Sequence, residues 1–365
     1  MKEDTRYWIA LNMIPGVGRE RFKRLIEEFG SPKGVLDAPY REIAKVPGIG
    51  FITAQAIARG RERIDIDQEL DLVQRHKVKI ITLADESYPA DLAAIFDPPS
   101  VLYIKGQLLE RDRISIAIVG SRRATTQGKA IARRLSYQLA SKGLTIVSGM
   151  ARGIDSAAHR GALALNGGRS IAVLGCGIDV VYPPENKELM NQIAQSGAVV
   201  SEFPMSTPPH GGNFPQRNRV ISGLSLGVVV VEAAERSGAM VTVDCALEQG
   251  RDVFAVPGSI DGKYSKGTNR LIKQGAKLVQ DSSDIVEELG LPLVSSSEGL
   301  GEEVAKPSLS PSEETVYQLL SSQPQHIDVL IQKSKISPGQ IAGILMNLEV
   351  KGLVKELAGK NFIRK

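Results

Sequence analysis

The chain has 365 residues, of which 42% are hydrophobic and 24% charged, and its net charge is +4; these values predict a globular core and exclude the strongly basic composition of a tail that coats nucleic acid. The two cysteines, Cys176 and Cys245, and four scattered histidines show no metal-ligand spacing, so we expect reduced thiols and neither a metal nor a cofactor. The first residues lack the apolar segment of a signal peptide, and no window approaches the ~20 apolar residues of a membrane span, so we expect a cytoplasmic protein with no membrane span.

Residues 1–70 are predicted to form a small helical domain built on two similar turns, Ile14-Pro-Gly-Val-Gly18 and Val46-Pro-Gly-Ile-Gly50. Turns of this kind are typical of helix-hairpin-helix units, in which backbone N–H groups hold a DNA phosphate. The first turn is followed by four cations: Arg19, Arg21, Lys23 and Arg24. The sequence leaves open whether this hairpin contacts DNA or only joins helices, and the second hairpin is interpreted as structural.

Strands alternate with helices through residues 71–290, which predicts an α/β fold with a doubly wound, mainly parallel sheet. The predicted strands are 79–83, 114–119, 144–147, 170–174, 198–202, 227–232 and 252–256. Ligands of such sheets bind beyond the carboxyl ends of the strands. The loops at those ends are therefore the candidate binding site.

The strand at 114–119 ends in a glycine turn, Gly120-Ser121-Arg122-Arg123, that leads into a helix predicted over 126–141. The turn lets a ligand approach the backbone, and the helix start presents unpaired N–H groups. Seven Lys or Arg and a single acid lie between positions 111 and 134. This stretch predicts a phosphate-binding loop rather than a plain basic surface.

Neither common nucleotide signature accompanies this loop. A P-loop would need a hydroxyl where Ala130 stands, and a dinucleotide fingerprint would need a third glycine where Val180 stands. The fold is therefore predicted to be of a nucleotide-binding type without the nucleotide motifs.

The loops after the other strands bring further cations, donors and an aromatic ring to the same edge. Cationic groups suit a nucleic-acid backbone, and an aromatic face suits its bases. The candidate residues for binding a nucleic acid at this edge are Gly120, Ser121, Arg122, Arg123, Gly149, Arg152, Lys187, Phe214, Arg217, Asn218, Arg219, Ser237 and Gly238. For Arg217 and Arg219 the alternative is an ion pair with Glu232 or Glu235.

Asp155 and His159 are four residues apart on one predicted helix and are therefore a candidate acid/base pair. No nucleophile or metal spacing accompanies them. We therefore favour a helix cap for Asp155 and a packed imidazole for His159.

Several motifs together resemble those of the DNA-processing protein A family, also called DprA or Smf. They are Gly-Ser-Arg122, Ser148-Gly-x-Ala-x-Gly-Ile-Asp-x-x-Ala-His159, Tyr182-Pro, Phe214-Pro-x-Arg-Asn-Arg-x-Ile-Ser-Gly223, Arg236-Ser-Gly238 and Asp252-Val-Phe-Ala-Val-Pro-Gly258. The resemblance implies an extended Rossmann domain that binds single-stranded DNA without catalysis, dimerises, and helps load the RecA recombinase onto incoming DNA during natural transformation. The family's loop arginine corresponds to Arg122. Pro184 stands where the family has a basic residue, and Lys187 is the candidate substitute.

The resemblance also implies a dimer contact near the end of the sheet. The segment 271–278 has more apolar residues than a short edge helix needs. The predicted contact residues are Leu271, Ile272 and Leu278.

The chain ends in a predicted polar linker, 291–307, and a winged-helix domain, 308–365. The domain is predicted from helices at 313–320, 327–332 and 337–351 and a hairpin pairing 353–356 with 361–364. Its third helix carries almost no cation or base-reading donor, which favours a protein contact or weak DNA binding over sequence-specific binding.

The sequence alone leaves two alternative functions open. The central domain distantly resembles Rossmann phosphoribohydrolases, but Arg236-Ser-Gly-Ala-Met-Val-Thr242 replaces their phosphate-binding loop. A duplex-DNA regulator acting through the winged helix is the other alternative.

Overall fold

The structure is a computed structural model that describes residues 3–291, 310–321, 325–334, 336–350, 353–357 and 359–364. These residues fall into two units, of which the first contains residues 3–291 and the second the described residues from 310 onward. The predicted linker lies outside the described residues apart from Leu291. Within the described ranges, none of the helices has the length and apolar character needed to cross a bilayer.

The first unit begins with six helices that pack around a small apolar core. They are α1 Glu3–Met13, α2 Arg19–Phe29, α3 Pro32–Asp37, α4 Tyr40–Ile43, α5 Phe51–Arg63 and α6 Ile66–Arg75. Gly30 ends α2 in the left-handed conformation at φ 74°, and the Ser31 side chain accepts from Gly34 N to begin α3. Phe22, Leu25 and Ile57 are among the buried residues of this core.

Nine strands then form one sheet. They are β1 Lys79–Thr82, β2 Val101–Gly106, β3 Ser115–Val119, β4 Thr145–Ser148, β5 Ser170–Leu174, β6 Ala198–Ser201, β7 Gly227–Val230, β8 Asp252–Ala255 and β9 Lys277–Leu278. Their order is β1-β2-β6-β5-β4-β3-β7-β8-β9, and every neighbouring pair is parallel except the two that include β2. The mainly parallel sheet is confirmed, whereas β2 and the short edge strand β9 were not predicted.

Helices cover both faces of the sheet, as a doubly wound fold requires. They are α7 Ala90–Ala93, α8 Thr126–Ser141, α9 Ile154–Leu163, α10 Lys187–Ser196, α11 Asn213–Gly223, α12 Gly238–Glu248, α13 Lys266–Lys273 and α14 Ser282–Glu288, with short 3-10 helices at Glu110–Arg113 and Pro184–Asn186. Successive residues of β3 face opposite sides: Ile116 packs in the core with α8 and α9, and Ala117 in the core with α11 and α12. All of β3 is buried, which explains its continuous apolar run.

The strand order reverses beside β3, since β4 and β5 follow on one side and β7 and β8 on the other. Connections that leave β3 and β7 therefore diverge to opposite faces, and a crevice forms beyond their carboxyl ends. The loops that begin at Gly120 and Val231 border that crevice.

The second unit has the helix and strand order of a winged helix, as predicted. Its elements are α15 Pro311–Leu319, β10 Gln325–His326, α16 Ile327–Ser334, α17 Pro338–Val350, β11 Val354–Leu357 and β12 Asn361–Arg364. The three strands lie in the order β10-β12-β11. Leu330, Ile341 and Phe362 are among the buried residues of its core, and Ser310 and Glu313 form a capping box at α15.

Candidate nucleic-acid interface

Two adjoining cavities lie beyond the carboxyl ends of the strands, and together we call them the strand-end groove. The larger has a volume of about 720 Å³ and the smaller about 30 Å³. Arg122, Tyr182, Phe214 and Arg217 line both cavities. All but two of the predicted binding residues line one cavity or the other, the exceptions being Lys187 and Arg219.

Phe214 is the centre of an aromatic and cationic cluster in this groove. The guanidinium carbons of Arg122 and Arg217 lie 5.2 and 5.9 Å from the centroid of its ring, and the Tyr182 ring lies 5.6 Å away. A Cβ at Gly175 would lie 2.8 Å from the Phe214 ring, so only glycine permits this approach. The ring is therefore held by its neighbours and remains partly exposed.

Arg217 is buried and connects the loop after β4 with the end of strand β5. Its Nη1 atom donates to the carbonyl oxygen of Gly149 at 2.7 Å and also to that of Val173. Burial lowers the pKa of Arg217 to about 10, and the Asp155 carboxyl opposes this change. The guanidinium therefore keeps its charge at neutral pH.

Asp155 and His159 have structural positions on α9. Asp155 Oδ2 accepts from Ala151 N at 3.2 Å, and His159 Nδ1 lies 2.7 Å from Ser170 Oγ. Burial raises the pKa of Asp155 to about 6, with Arg217 opposing it, and burial lowers the pKa of His159 to about 3. His159 is 0% exposed, which places the imidazole out of a ligand's reach. The favoured interpretation of a packed imidazole agrees with this position.

The start of α8 differs from the prediction of unpaired N–H groups. Glu232 accepts hydrogen bonds from Thr125 N at 2.8 Å and Thr125 Oγ1 at 2.5 Å, while Thr125 Oγ1 accepts from Gly128 N at 2.9 Å. A carboxylate of the chain itself therefore occupies the anion position that the sequence suggested for a ligand. The cationic part of the loop, Arg122 and Arg123, is exposed instead.

Arg219 does not line the groove, which corrects its predicted role in binding. Its Nη2 lies 2.5 Å from Glu202 Oε2 and its Nε 3.1 Å from Asp97 Oδ2, and the side chain is 5% exposed. Burial raises the pKa of Glu202, and Arg219 opposes that rise. Residues two apart on a helix point about 200° apart. The groove therefore receives Arg217, and Arg219 instead pairs with Glu202, which is mostly buried, and with Asp97, which is partly exposed.

The remaining predicted cations differ in their surroundings. Arg152 lines the smaller cavity and forms an ion pair with Glu185, with Nη2 and Oε2 3.0 Å apart. Lys187 is exposed at the first residue of α10 and lines neither cavity. The structure therefore does not place Lys187 where the missing basic residue was expected to act.

The groove residues that sequence reasoning missed include two aromatic side chains and a cation, namely Tyr182, Tyr264 and Lys263. Tyr182 was noted in a motif but not as a site residue. Lys263 and Tyr264 lie in the loop that follows β8, at the same edge of the sheet. Ligands of such sheets bind beyond the carboxyl ends of the strands. Examination of the loop after β8 for that reason would have found this pair.

The cations after the first hairpin all have contacts within the chain. Arg21 donates to Gly16 O at 2.7 Å and to Gly48 O at 3.1 Å, and Arg24 donates to Pro47 O at 2.9 Å. Arg19 forms an ion pair with Asp97 at 2.7 Å, and the Lys23 ammonium lies 5.4 Å from the centre of the Phe96 ring. These contacts favour the structural alternative, in which arginines tie the two hairpins together.

The predicted dimer residues fall in different environments. Leu271 is 5% exposed and packs in the sheet core, so it is not available for a surface contact. Ile272 is partly buried against that core, and Leu278 is 41% exposed on β9. Since α13 turns Leu271 inward, the prediction of a dimer contact is wrong for Leu271. For Leu278, on the exposed edge strand, it stays a prediction.

No group of three or more His, Cys, Asp or Glu side chains in the described part of the chain is arranged to hold a metal ion. Arg122, Arg123 and Lys263 have no ion-pair partner among the described residues. The chemistry that the groove offers is thus that of exposed cations beside aromatic faces.

Comparisons with known proteins agree with this architecture. A family model described as DNA recombination-mediator protein A matches residues 79–290, one described as DprA winged helix domain matches 301–360, and a SAM-like helix-hairpin-helix tandem matches 9–62. Protein Smf of Synechocystis is 33% identical, over 99% of this chain and 99% of its own length.

Two solved structures are similar to the chain. DNA processing protein A from Streptococcus pneumoniae has 37% identity and a TM-score of 0.69, covering 78% of this chain and 97% of that one. DNA processing protein A from Helicobacter pylori has 31% identity and a TM-score of 0.53, covering 58% and 95%. The latter structure is described as showing a single-stranded DNA binding mode.

Proposed function

Since the chain belongs to the DNA recombination-mediator protein A family, also called DprA or Smf, we propose that it binds single-stranded DNA in the strand-end groove without acting on it chemically. The observation that carries this proposal is the cluster of Arg122, Tyr182 and Phe214 in a groove with free cations. A single strand has both the phosphates that cations attract and the unstacked bases that rings can hold. The relative from Helicobacter pylori, whose structure concerns single-stranded DNA, supports this ligand.

The acidic and histidine side chains in and beside the groove support a binding role rather than catalysis. Asp155 holds the turn at Ala151, Glu232 caps α8, and His159 is buried against Ser170. A general acid or base must come within hydrogen-bond reach of a bound substrate. All three groups are instead engaged in holding the loops.

We extend the proposal to the partners that the family relation implies. The protein would bind incoming single strands in the cytoplasm, protect them, and help load the RecA recombinase during natural transformation. A homodimer is supported by the outer edge of β9, where a second copy could add a strand. Leu278 on that strand is 41% exposed, and Leu247 on the neighbouring α12 is 63% exposed.

Titration of the full chain with labelled oligo-dT and with a matched duplex tests the proposal. Arg122→Ala should weaken single-strand binding by about 1 to 3 kcal/mol, because a charge-assisted phosphate contact is lost. The slope of log affinity against log salt should become shallower by about 0.7. Arg134→Ala is the matched control, since Arg134 is exposed on α8 and lies outside both cavities.

Equal oligo-dT affinities for the parent and Arg122→Ala at low salt would show that the groove is not the binding site. Tighter binding of duplex than of single strand would favour a duplex regulator that acts through the winged helix.

A further inference from the structure

The strand-end groove continues beyond the Phe214 cluster to the loop that follows β8. The larger cavity has Arg122 and Phe214 among its lining residues and also Lys263 and Tyr264. Its volume of about 720 Å³ lies in the upper part of the ~300 to 1,000 Å³ that ligand sites usually have. The cavity therefore offers two separate combinations of a cation and an aromatic ring.

Hydrogen bonds fix the loop that holds the second combination. Ala233 N donates to Tyr264 O at 2.7 Å, and Gly267 N donates to Ala233 O at 2.9 Å. The Asn269 side chain accepts from Gly258 N at 3.1 Å and donates to Gly258 O at 2.9 Å. The loop is therefore held against the end of β7, which fixes the backbone that carries Tyr264.

The side chains of this pair are open to a ligand. Tyr264 is partly exposed, and Lys263 is exposed with its ammonium 5.9 Å from the centre of the Tyr264 ring. No carboxylate of the described residues lies within ion-pair distance of Lys263. A cation without an acidic partner attracts phosphate, and a partly exposed aromatic ring offers a face to a base.

Ser237 adds a hydroxyl donor to the same cavity. It lines the same cavity at the start of α12, and its Oγ atom is buried without a hydrogen-bond partner among the described groups. Buried hydroxyls normally have a partner. A ligand oxygen at this point would supply one.

We propose that Lys263 and Tyr264 form a second nucleotide position, in which Tyr264 stacks a base and Lys263 with Ser237 contacts a phosphate. Arg122, Phe214 and Arg217 form the first position. The ligand of the groove is then an oligonucleotide of at least two linked nucleotides, not a mononucleotide. This inference rests on the proposed function and specifies its substrate.

The test compares the affinity and salt dependence of oligo-dT binding by the full-length parent and by variants of this pair. Tyr264→Ala should weaken binding about 5- to 150-fold, as loss of one base stack does, with the salt slope unchanged. Lys263→Ala should make the salt slope shallower by about 0.7. Tyr264→Phe and Lys263→Arg should retain binding, because each keeps the ring or the charge.

Lys266→Ala is the matched control, since Lys266 is exposed on α13 and lies outside both cavities. Thermal unfolding of each variant checks that the fold is kept. If Arg122→Ala loses affinity while Tyr264→Ala and Lys263→Ala bind like the parent, the second position is refuted and the proposed function stands. If the parent itself does not bind oligo-dT, the proposed function fails.

Discussion

At the scale of single residues, charge and burial decide which polar groups face the groove. Arg217 and Arg219 are two positions apart and both buried, yet one contacts strand-end carbonyls and the other a pair of acids. Glu232 shows the same principle, because its carboxylate occupies the start of α8. A residue's type therefore does not reveal whether its charge is available to a ligand.

Removal of the Glu232 side chain should destabilise the loop between β3 and α8. Glu232→Ala removes two hydrogen bonds from Thr125 to a charged acceptor, at a cost of about 1 to 3 kcal/mol in the free energy of unfolding. The vacated anion position should also let sulfate stabilise the variant more than the parent. Denaturant unfolding with and without sulfate measures both effects.

Glu232→Gln serves as the control for that experiment, because its amide oxygen can still accept from Thr125 N. The interpretation of Glu232 as an intramolecular cap is wrong if the Ala variant is as stable as the Gln variant and gains nothing from sulfate.

His159 should make the protein less stable as pH falls. Burial lowers the pKa of His159 from 6.5 to about 3, so between these values the unfolded chain binds a proton that the folded chain does not. The free energy of unfolding then falls by up to about 1.4 kcal/mol per pH unit on acidification from 6.5 towards 3. His159→Gln cannot bind that proton, so its unfolding free energy should depend less steeply on pH, and parallel curves for parent and variant would contradict the assignment.

At the scale of elements, the two glycine hairpins form one structure rather than two separate turns. Arg21 on α2 donates to carbonyl oxygens of both Gly16 and Gly48, and a Cβ at Gly48 would lie 2.5 Å from the Arg24 guanidinium. The basic residues after the first turn thus form contacts that join separate elements of the helical domain. Their spacing in sequence is compatible with DNA binding, but their hydrogen bonds join the hairpins.

Replacement of Arg21 by methionine should therefore affect stability and not DNA affinity. Arg21→Met keeps most of the aliphatic stem and loses the two carbonyl contacts, which should lower the free energy of unfolding by about 1 to 3 kcal/mol. Arg59→Met is the control, since Arg59 is exposed on α5. Both variants are compared with the parent by denaturant unfolding and by oligo-dT titration. Weaker oligo-dT binding by Arg21→Met, with unchanged stability, would instead indicate a phosphate contact.

At the scale of the whole molecule, the order of the strands places the groove and leaves one edge of the sheet open. The reversal beside β3 opens the crevice in which the loops of β3, β4, β5, β7 and β8 meet. At the far end of the sheet, β9 pairs only with β8 in the described structure. The strand-end groove and the proposed dimer edge at β9 are thus at separate places on the same sheet.

A charge on the outer strand should disrupt the proposed dimer. Leu278→Asp introduces a carboxylate on an exposed edge strand, so it should yield monomers without loss of the fold. Ile260→Asp is the control, since Ile260 is 83% exposed in the loop after β8 and does not belong to the edge strand β9. Light scattering over a range of protein concentrations reports the mass of each, and a parent that is already monomeric would remove the basis for the dimer.

The sequence by itself determined the mainly parallel sheet except for β2 and β9, the winged helix and the loops that border the groove. Buried parallel strands leave continuous apolar runs such as that of β3, and their carboxyl ends place the following loops at one edge. Only the tertiary structure decided which side chains of those loops face a ligand. The reason is that their partners are distant in the chain: Glu232 reaches Thr125 across 107 positions, and Arg217 reaches Gly149 across 68. The local sequence pattern shows whether a segment is a helix or a strand, but it does not show which distant residues its charged side chains contact.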